Sequence, residues 1–385
     1  MLLPETSLTS TAPLSSPVPG GTTMQDGHFE EVAGFKTLGT HGTQTQPAAD
    51  VVVPMELTFV EAEFLSSGRL NEWESPALRG LLGKPLRESQ CWLPTAQRLE
   101  LNHIPDLKTG KPRQLHLYCQ GCDLNAECHY GRVFEPDLLK ILGRAERGIR
   151  DGIRGISLAT PFPGPMTSKP GQRMLIRLLA MGPHGVSLTG PVLQALAEYG
   201  EVNGMGPERA RFRLDPSSIH REVWELHSGR LDRQLGRGVI PTTELILGSP
   251  LSLKGFDRRE GPRPGFADIF NSALRTVTRV VRELGAVPGV DGQLLHDVDF
   301  RGLKEAALQV ECDLSGLEWF EQSRSSRRQR QQPDLSGHWE FSGWSGSAVF
   351  RDVPAALIPW LQWAGRIGVG DSRVCGAGIW FLAMR

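Results

Sequence analysis

Apolar positions along this chain fall into short runs of two kinds, and the kinds alternate. "MELTFVEAE" (55–63) reads as a strand, and 73–88 then takes up helical spacing. "RMLIRLLAM" (173–181) predicts another strand, and "PVLQALAEYG" (191–200) a helix. In the second half, "TTELILG" (242–248) predicts a strand and 265–284 a long amphipathic helix. Strand, helix, strand recurs in both halves, as a tandem α+β architecture requires.

The carboxyl end adds a third kind of pattern. "PAALIPWLQWAG" (354–365) sets Ala356, Leu357, Trp360, Leu361 and Ala364 at helical spacing behind Pro354, a good early-helix residue. "IGVGDSRVCGAG" then packs Gly368, Gly370, Gly376 and Gly378 into one loop, and "IWFLAM" (379–384) is a short apolar strand. Such dense glycine signals backbone in close approach, often to a phosphate. A dinucleotide or P-loop site needs strand, loop, helix, so that the phosphate meets a helix N-terminus. The order here is reversed, which excludes a Rossmann-type reading. A bare glycine-rich turn remains an alternative for this loop taken alone.

Length and charge narrow the field. The 385 residues have room for two ordinary domains, and 42 basic against 43 acidic side chains create no global field for nucleic acid. Binding to a polyanion must therefore rest on local clusters. "GMGPERARFRL" (204–214) is a glycine turn leading into a strand, with Arg209, Arg211 and Arg213 at the period of two that shares one face. "SRSSRRQRQ" (323–331) gathers Arg324, Arg327, Arg328 and Arg330, and "LRGLLGKPLRE" (78–88) contributes Arg79, Lys84 and Arg87. One such cluster alone is a solvated face. Several, with two glycine turns, suggest a track for a nucleic-acid backbone. No run of about eighteen apolar residues is present, so no membrane partner is expected. Residues 1–50, rich in Ser, Thr, Pro and Gly, carry no secretory signal and are expected to be disordered. Six unevenly spaced cysteines do not form a secreted disulfide framework and point to a reducing cytoplasm.

Cys119, Cys122 and Cys128 have the spacing C-x2-C-x5-C, with Cys91 upstream. Two sulfurs separated by two residues reach one metal, and thiolates favour zinc. Cys91, His129 or His116 would close a tetrahedral structural site. An iron–sulfur cluster is the second metal reading, and buried thiols in a loop-rich insertion are the alternative to both. Cys312 and Cys375 are isolated and read as structural.

With these motifs in order, the chain resembles the RAMP-superfamily CRISPR endoribonucleases that cut precursor CRISPR RNA within each repeat. The resemblance runs from about residue 51 to the end. It rests on "ALRGLLGKPLRE", "YCQGCDLNAECHYGRVFEP" (118–136), "PFPGP" (161–165), Asn203 to Pro207 with the "RARFRL" strand, "ILGSPLSLKG" (246–255) and "FADIFNSALRTVTRVVRELG" (266–285). The serine-arginine-glutamine run, "GWSGSAVF" (343–350) and the final glycine loop complete it.

The resemblance implies an α+β fold of two ferredoxin-like (RRM-like) domains in tandem. The N-terminal one would cover 51–240, with a Cys-rich insertion at about 91–132, and the C-terminal one 241–385 with the glycine loop. It implies that this loop lies between the two folds and touches RNA through Gly368, Gly370, Gly376 and Gly378. Arg79, Arg209, Arg211, Arg324, Arg327 and Arg328 would then track phosphates. The implied partners are CRISPR repeat RNA, mature crRNA and other CRISPR-associated effector subunits. The implied reaction needs no cofactor: the ribose 2′-OH attacks the adjacent phosphate, leaving a 2′,3′-cyclic phosphate and a 5′-OH. Zinc, held by Cys91, Cys119, Cys122 and Cys128, would be structural only. Family members place a catalytic histidine after the first helix, which here points to His103 with Lys108, and to His116 as the next candidate. The other reading is a non-catalytic RAMP subunit that binds guide RNA in an effector complex.

Overall fold

The computed structural model describes residues 50–93, 119, 122–137, 152–233, 238–256, 259, 261–285, 295, 298–324 and 339–385. Residues 47–385 form one compact unit built on two antiparallel sheets.

The first sheet is centred on β1 (Val52–Phe64), whose apolar side chains are buried for almost its whole length. Helix α1 (Ser75–Gln90) follows, with Pro76 in its first turn, where the missing N–H costs nothing. It buries Ala77, Leu78, Leu82 and Leu86, the i, i+4 stripe that 73–88 promised. A turn carrying Cys122 leads into the short α2 (His129–Phe134). Then come β2 (Ile156–Ala159), β3 (Arg173–Met181), the short α3 (Gly182–Ser187), α4 (Thr189–Asn203), β4 (Phe212–Leu214) and β5 (His220–His227). The lateral order is β2, β3, β1, with β4 and β5 both paired to the far edge of β1.

The second sheet repeats this plan. Strand β6 (Val239–Leu251) is followed by α5 (Phe266–Leu284), α6 (Phe300–Ala307), β7 (Glu311–Asp313), β8 (Leu317–Arg324), β9 (Trp339–Pro354), α7 (Ile358–Ile367) and β10 (Trp380–Met384). Their order is β8, β9, β6, β10. Helix α5 buries Phe266, Ile269, Phe270, Ala273, Leu274, Val277, Val280 and Val281, and its Asp268 carboxylate accepts from the Gly265 N–H at 3.0 Å.

Pro354 ends β9 and also caps the 3₁₀ turn Ala355–Leu357 that runs straight into α7, whose own first turn holds Pro359. One expectation shifts. Arg209 is not on a strand. It occupies a turn with φ of 54°, stapled by the Met205–Ala210 bridge, so the shared face holds for Arg211 and Arg213 only.

One apolar core joins both sheets: Val53, Met55, Leu57, Leu179 and Met181 of the first meet Leu245 and Phe350 of the second, with Phe270 and Val277 of α5 and Trp360 of α7. A separate cluster lies under α1 and α4.

Candidate functional site

The glycine loop 368–378 lies where the two sheets meet, and hydrogen bonds fasten it on both sides. Toward the second sheet, Gly378 N–H donates to the Pro250 carbonyl at 2.9 Å and Asp371 N–H to that of Ser252 at 2.9 Å. Toward the first, the Ser157 hydroxyl donates to the Arg373 carbonyl at 2.8 Å, and the Arg373 guanidinium to the Arg154 carbonyl at 3.1 Å. The four glycines have φ between 64° and 84°, the left-handed region. Their close approach is to protein. A Cβ on Gly376 would lie 2.6 Å from the Leu158 carbonyl oxygen and the Ala159 methyl, and one on Gly368 2.7 Å from the Ala377 carbonyl oxygen. On Gly370 and Gly378 it would strike the carbonyls of Ser252 and Val369. Glycine at these positions is thus already required by the packing of the loop.

Positive charge collects beside the loop. Arg373 is buried, and burial, with Arg279, Arg154 and Arg79 nearby, lowers its pKa to about 10. Arg79, on α1, is lowered to about 10 by burial and by Arg154; its guanidinium lies over the Phe134 ring at 5.4 Å. Arg79 Nη1 and Arg373 Nη1 are shut off from solvent and have no hydrogen-bond partner among the described residues. Desolvated guanidinium donors without acceptors favour an anion at the junction.

A second feature adjoins α2. Cys91, which caps α1, and Cys119, Cys122 and Cys128 line one cavity with Arg87, Trp92, Leu93, Leu124 and Asn125. Arg87 donates to Glu135 at 2.9 Å and to the Tyr130 hydroxyl at 3.2 Å. Burial, then Glu135 and the neighbouring thiols, push the Cys119 thiol well up. His129 is not among the residues of that wall. Its Nδ1 lies 2.8 Å from the Ser187 hydroxyl, and its ring meets the His184 ring edge-on, centroids 5.1 Å apart. Burial, then Arg132 and His129, hold His184 below the usual imidazole value.

His103, Lys108 and His116 lie outside the described residues, as do Arg327 and Arg328; Arg324 ends β8. Arg209 and Arg211 are exposed. The structure therefore brings Arg79 and the glycine loop together. It adds Arg154, Arg373 and His184, which stands against His129, and none of these three carries a sequence pattern of its own.

Two family models match the chain. Residues 54–233 match one described as an N-terminal domain, and residues 245–379 match that of the CRISPR-associated endoribonuclease Cas6. The second segment is thus similar to the Cas6 family model. It contains the second half of β6, then α5, α7 and the glycine loop up to Ile379. No curated protein matches the sequence. Among solved structures, a partial Cas6-RT-Cas1–Cas2 complex is similar at 14% identity, over 86% of this chain and 46% of that one, with a TM-score of 0.45. The Thermus thermophilus Cas6 is similar at 15% identity, over 88% of this chain and 100% of that one, with a TM-score of 0.41. A Cas6-related protein from Pyrococcus furiosus is similar at 7% identity over 86% and 98%, with a TM-score of 0.35. The chain spans less than half the length of the first of these. No helix among the described residues is long and apolar enough to cross a membrane.

Proposed function

We propose that this protein is a CRISPR repeat endoribonuclease that acts in the cytoplasm on precursor CRISPR RNA. The Cas6 family match over 245–379 carries this reading. Fold topology supports it. In each sheet the strands, numbered by their place in a βαββαβ unit, lie in the order second, third, first, fourth, the arrangement of a ferredoxin-like domain. We place the two domains at 51–240 and 241–385, with the cysteine-bearing segment inserted in the first.

The reaction is transesterification within RNA. The 2′-oxygen forms a bond to the adjacent phosphorus while the bond from phosphorus to the 5′-oxygen breaks. The 2′-OH proton passes to a base, and an acid returns one to the leaving 5′-oxygen. The products are a 2′,3′-cyclic phosphate and a 5′-OH. No step requires a metal. The protein must hold the two oxygens in line, move the protons and neutralise charge on the phosphorane-like transition state. His103 is our choice for a proton-transfer role, with Lys108 beside it and His116 as the next candidate. Arg79 and Arg373, desolvated at the junction, suit the phosphate. Arg209, Arg211, Arg324, Arg327 and Arg328 are proposed to follow the backbone. Repeat RNA and its cut product are the proposed partners, and other CRISPR-associated subunits would receive that product.

The test is cleavage of a repeat RNA by the full chain in EDTA, beside the same RNA with hydrogen in place of the 2′-OH at the scissile nucleotide. Cutting of the first and survival of the second is expected, and His103→Ala should slow the cut by roughly a hundredfold. Tight binding without any cutting would make the protein a guide-RNA-binding subunit instead.

A further inference from the structure

One cavity beside α2 is lined by cysteine. Its four thiols come from two pieces of chain. Cys91 terminates α1, its N–H bonded to the Arg87 carbonyl at 3.2 Å, while Cys119, Cys122 and Cys128 lie in and before the turn leading into α2. That turn is held firmly. The Cys122 N–H donates to the Cys119 carbonyl at 3.3 Å and the Cys128 N–H to that of Leu124 at 2.7 Å. Asn125, 1% exposed, donates to the carbonyls of Cys119 and Glu135 at 3.0 and 2.8 Å and accepts from the Asp137 N–H at 2.9 Å. Position 131 leaves it room, since a Cβ there would come within 3.1 Å of the Asn125 side chain.

Among the described residues the wall offers four sulfurs and no histidine or carboxylate. Such a soft, all-thiolate donor set selects a zinc-class ion over a hard cation. The Arg87 guanidinium stands in the same wall, paired with Glu135. No described group of three or more His, Cys, Asp or Glu side chains is already gathered for a metal, so an ion would draw these thiols inward from the wall.

We propose that Cys91, Cys119, Cys122 and Cys128 bind one structural zinc-class ion that ties the end of α1 to the segment before α2. Metal binding releases the thiol protons and adds its free energy to folding. The ion plays no part in RNA cleavage.

Metal analysis of the full chain, purified without chelator, should find about one zinc per chain. Cobalt(II) added to the metal-depleted protein should give a thiolate-to-cobalt charge-transfer band and the strong visible bands of a tetrahedral site. Cys91→Ser with Cys122→Ser should abolish both, whereas Cys312→Ser, in exposed β7, should retain them. Releasing zinc with an organomercurial should lower the melting temperature. The wild-type cobalt spectrum decides the matter even where the double variant fails to fold. A metal-free protein whose cobalt spectrum lacks a thiolate band overturns the proposal. So does zinc retained by a folded Cys91/Cys122 double variant, and so does iron with acid-labile sulfide.

Discussion

Gly376 shows how one residue type serves a need that the sequence motif did not name. Its φ of 73° and its seat against Leu158 and Ala159 both forbid a side chain. Gly376→Ala should therefore cost about 1–2 kcal/mol for the left-handed backbone alone, plus the clash with β2. Urea unfolding should show a lower midpoint with an unchanged slope. Unchanged stability with weakened RNA binding would instead assign this glycine to the RNA. His184 makes a different residue-scale prediction. Burial first, then Arg132 and His129, depress its pKa below 6.5, so protons bind more readily to the unfolded chain. The stability owed to the neutral ring is fully present above about pH 6.5 and is lost as pH falls from there toward the folded-state value. His184→Gln should flatten the fall in melting temperature between about pH 7 and about pH 5. An identical fall in both proteins would place the sensitive group elsewhere.

At the scale of elements, legibility followed the strength of the period. The strand expected at 173–181 is β3 to the residue, and the helix expected at 265–284 begins one residue later, because each is a single unbroken apolar pattern. Strand β5 was not anticipated. It exposes His220, Arg221, Val223 and Glu225 and fully buries only Leu226, so tertiary pairing with β1 outweighs its weak pattern. Strand β9 carries no clean strand signal in the sequence, since Gly343 and Gly346 interrupt its alternation, and the register shifts between Trp344 and Gly346. The cysteine spacing was visible, but Arg373, Arg154 and His184 were not, because each gains its surroundings from chain far away in sequence. The arginine strand gives an element-scale test. Arg213 is occupied by Glu63 at 3.2 Å, whereas Arg211 is exposed beside it. If this edge follows an RNA backbone, Arg211→Ala should reduce the slope of log affinity against log salt by about 0.7. An unchanged slope removes the edge from the binding surface.

For the molecule as a whole, the question is whether two sheets of like topology behave as two domains or one. The core argues for one, since β1 and β3 share it with α5, β9 and α7. Polar contacts across the junction agree. The buried Glu283 carboxylate of α5 accepts from the Ile153 N–H before β2, and Arg132 of α2 donates to the Glu283 carbonyl at 3.3 Å. On the far side, the Gln322 amide of β8 accepts from the Trp73 N–H and donates to the Trp73 carbonyl, both at 3.0 Å, just before α1. Trp73 itself is buried and packs edge-on against Phe341. Separating the sheets would therefore expose apolar surface on both and orphan these backbone groups together. The expected result is a single calorimetric transition for the described unit, with calorimetric and van't Hoff enthalpies in agreement. Gln322→Leu leaves a backbone N–H and C=O without partners, at about 1–3 kcal/mol, and should lower that one transition without splitting it. Two resolved transitions in the wild-type protein, or a split in the variant that leaves the upper one in place, would mean that the halves fold separately and merely dock. The junction that holds Arg79 and Arg373 would then be a hinge rather than a preformed seat.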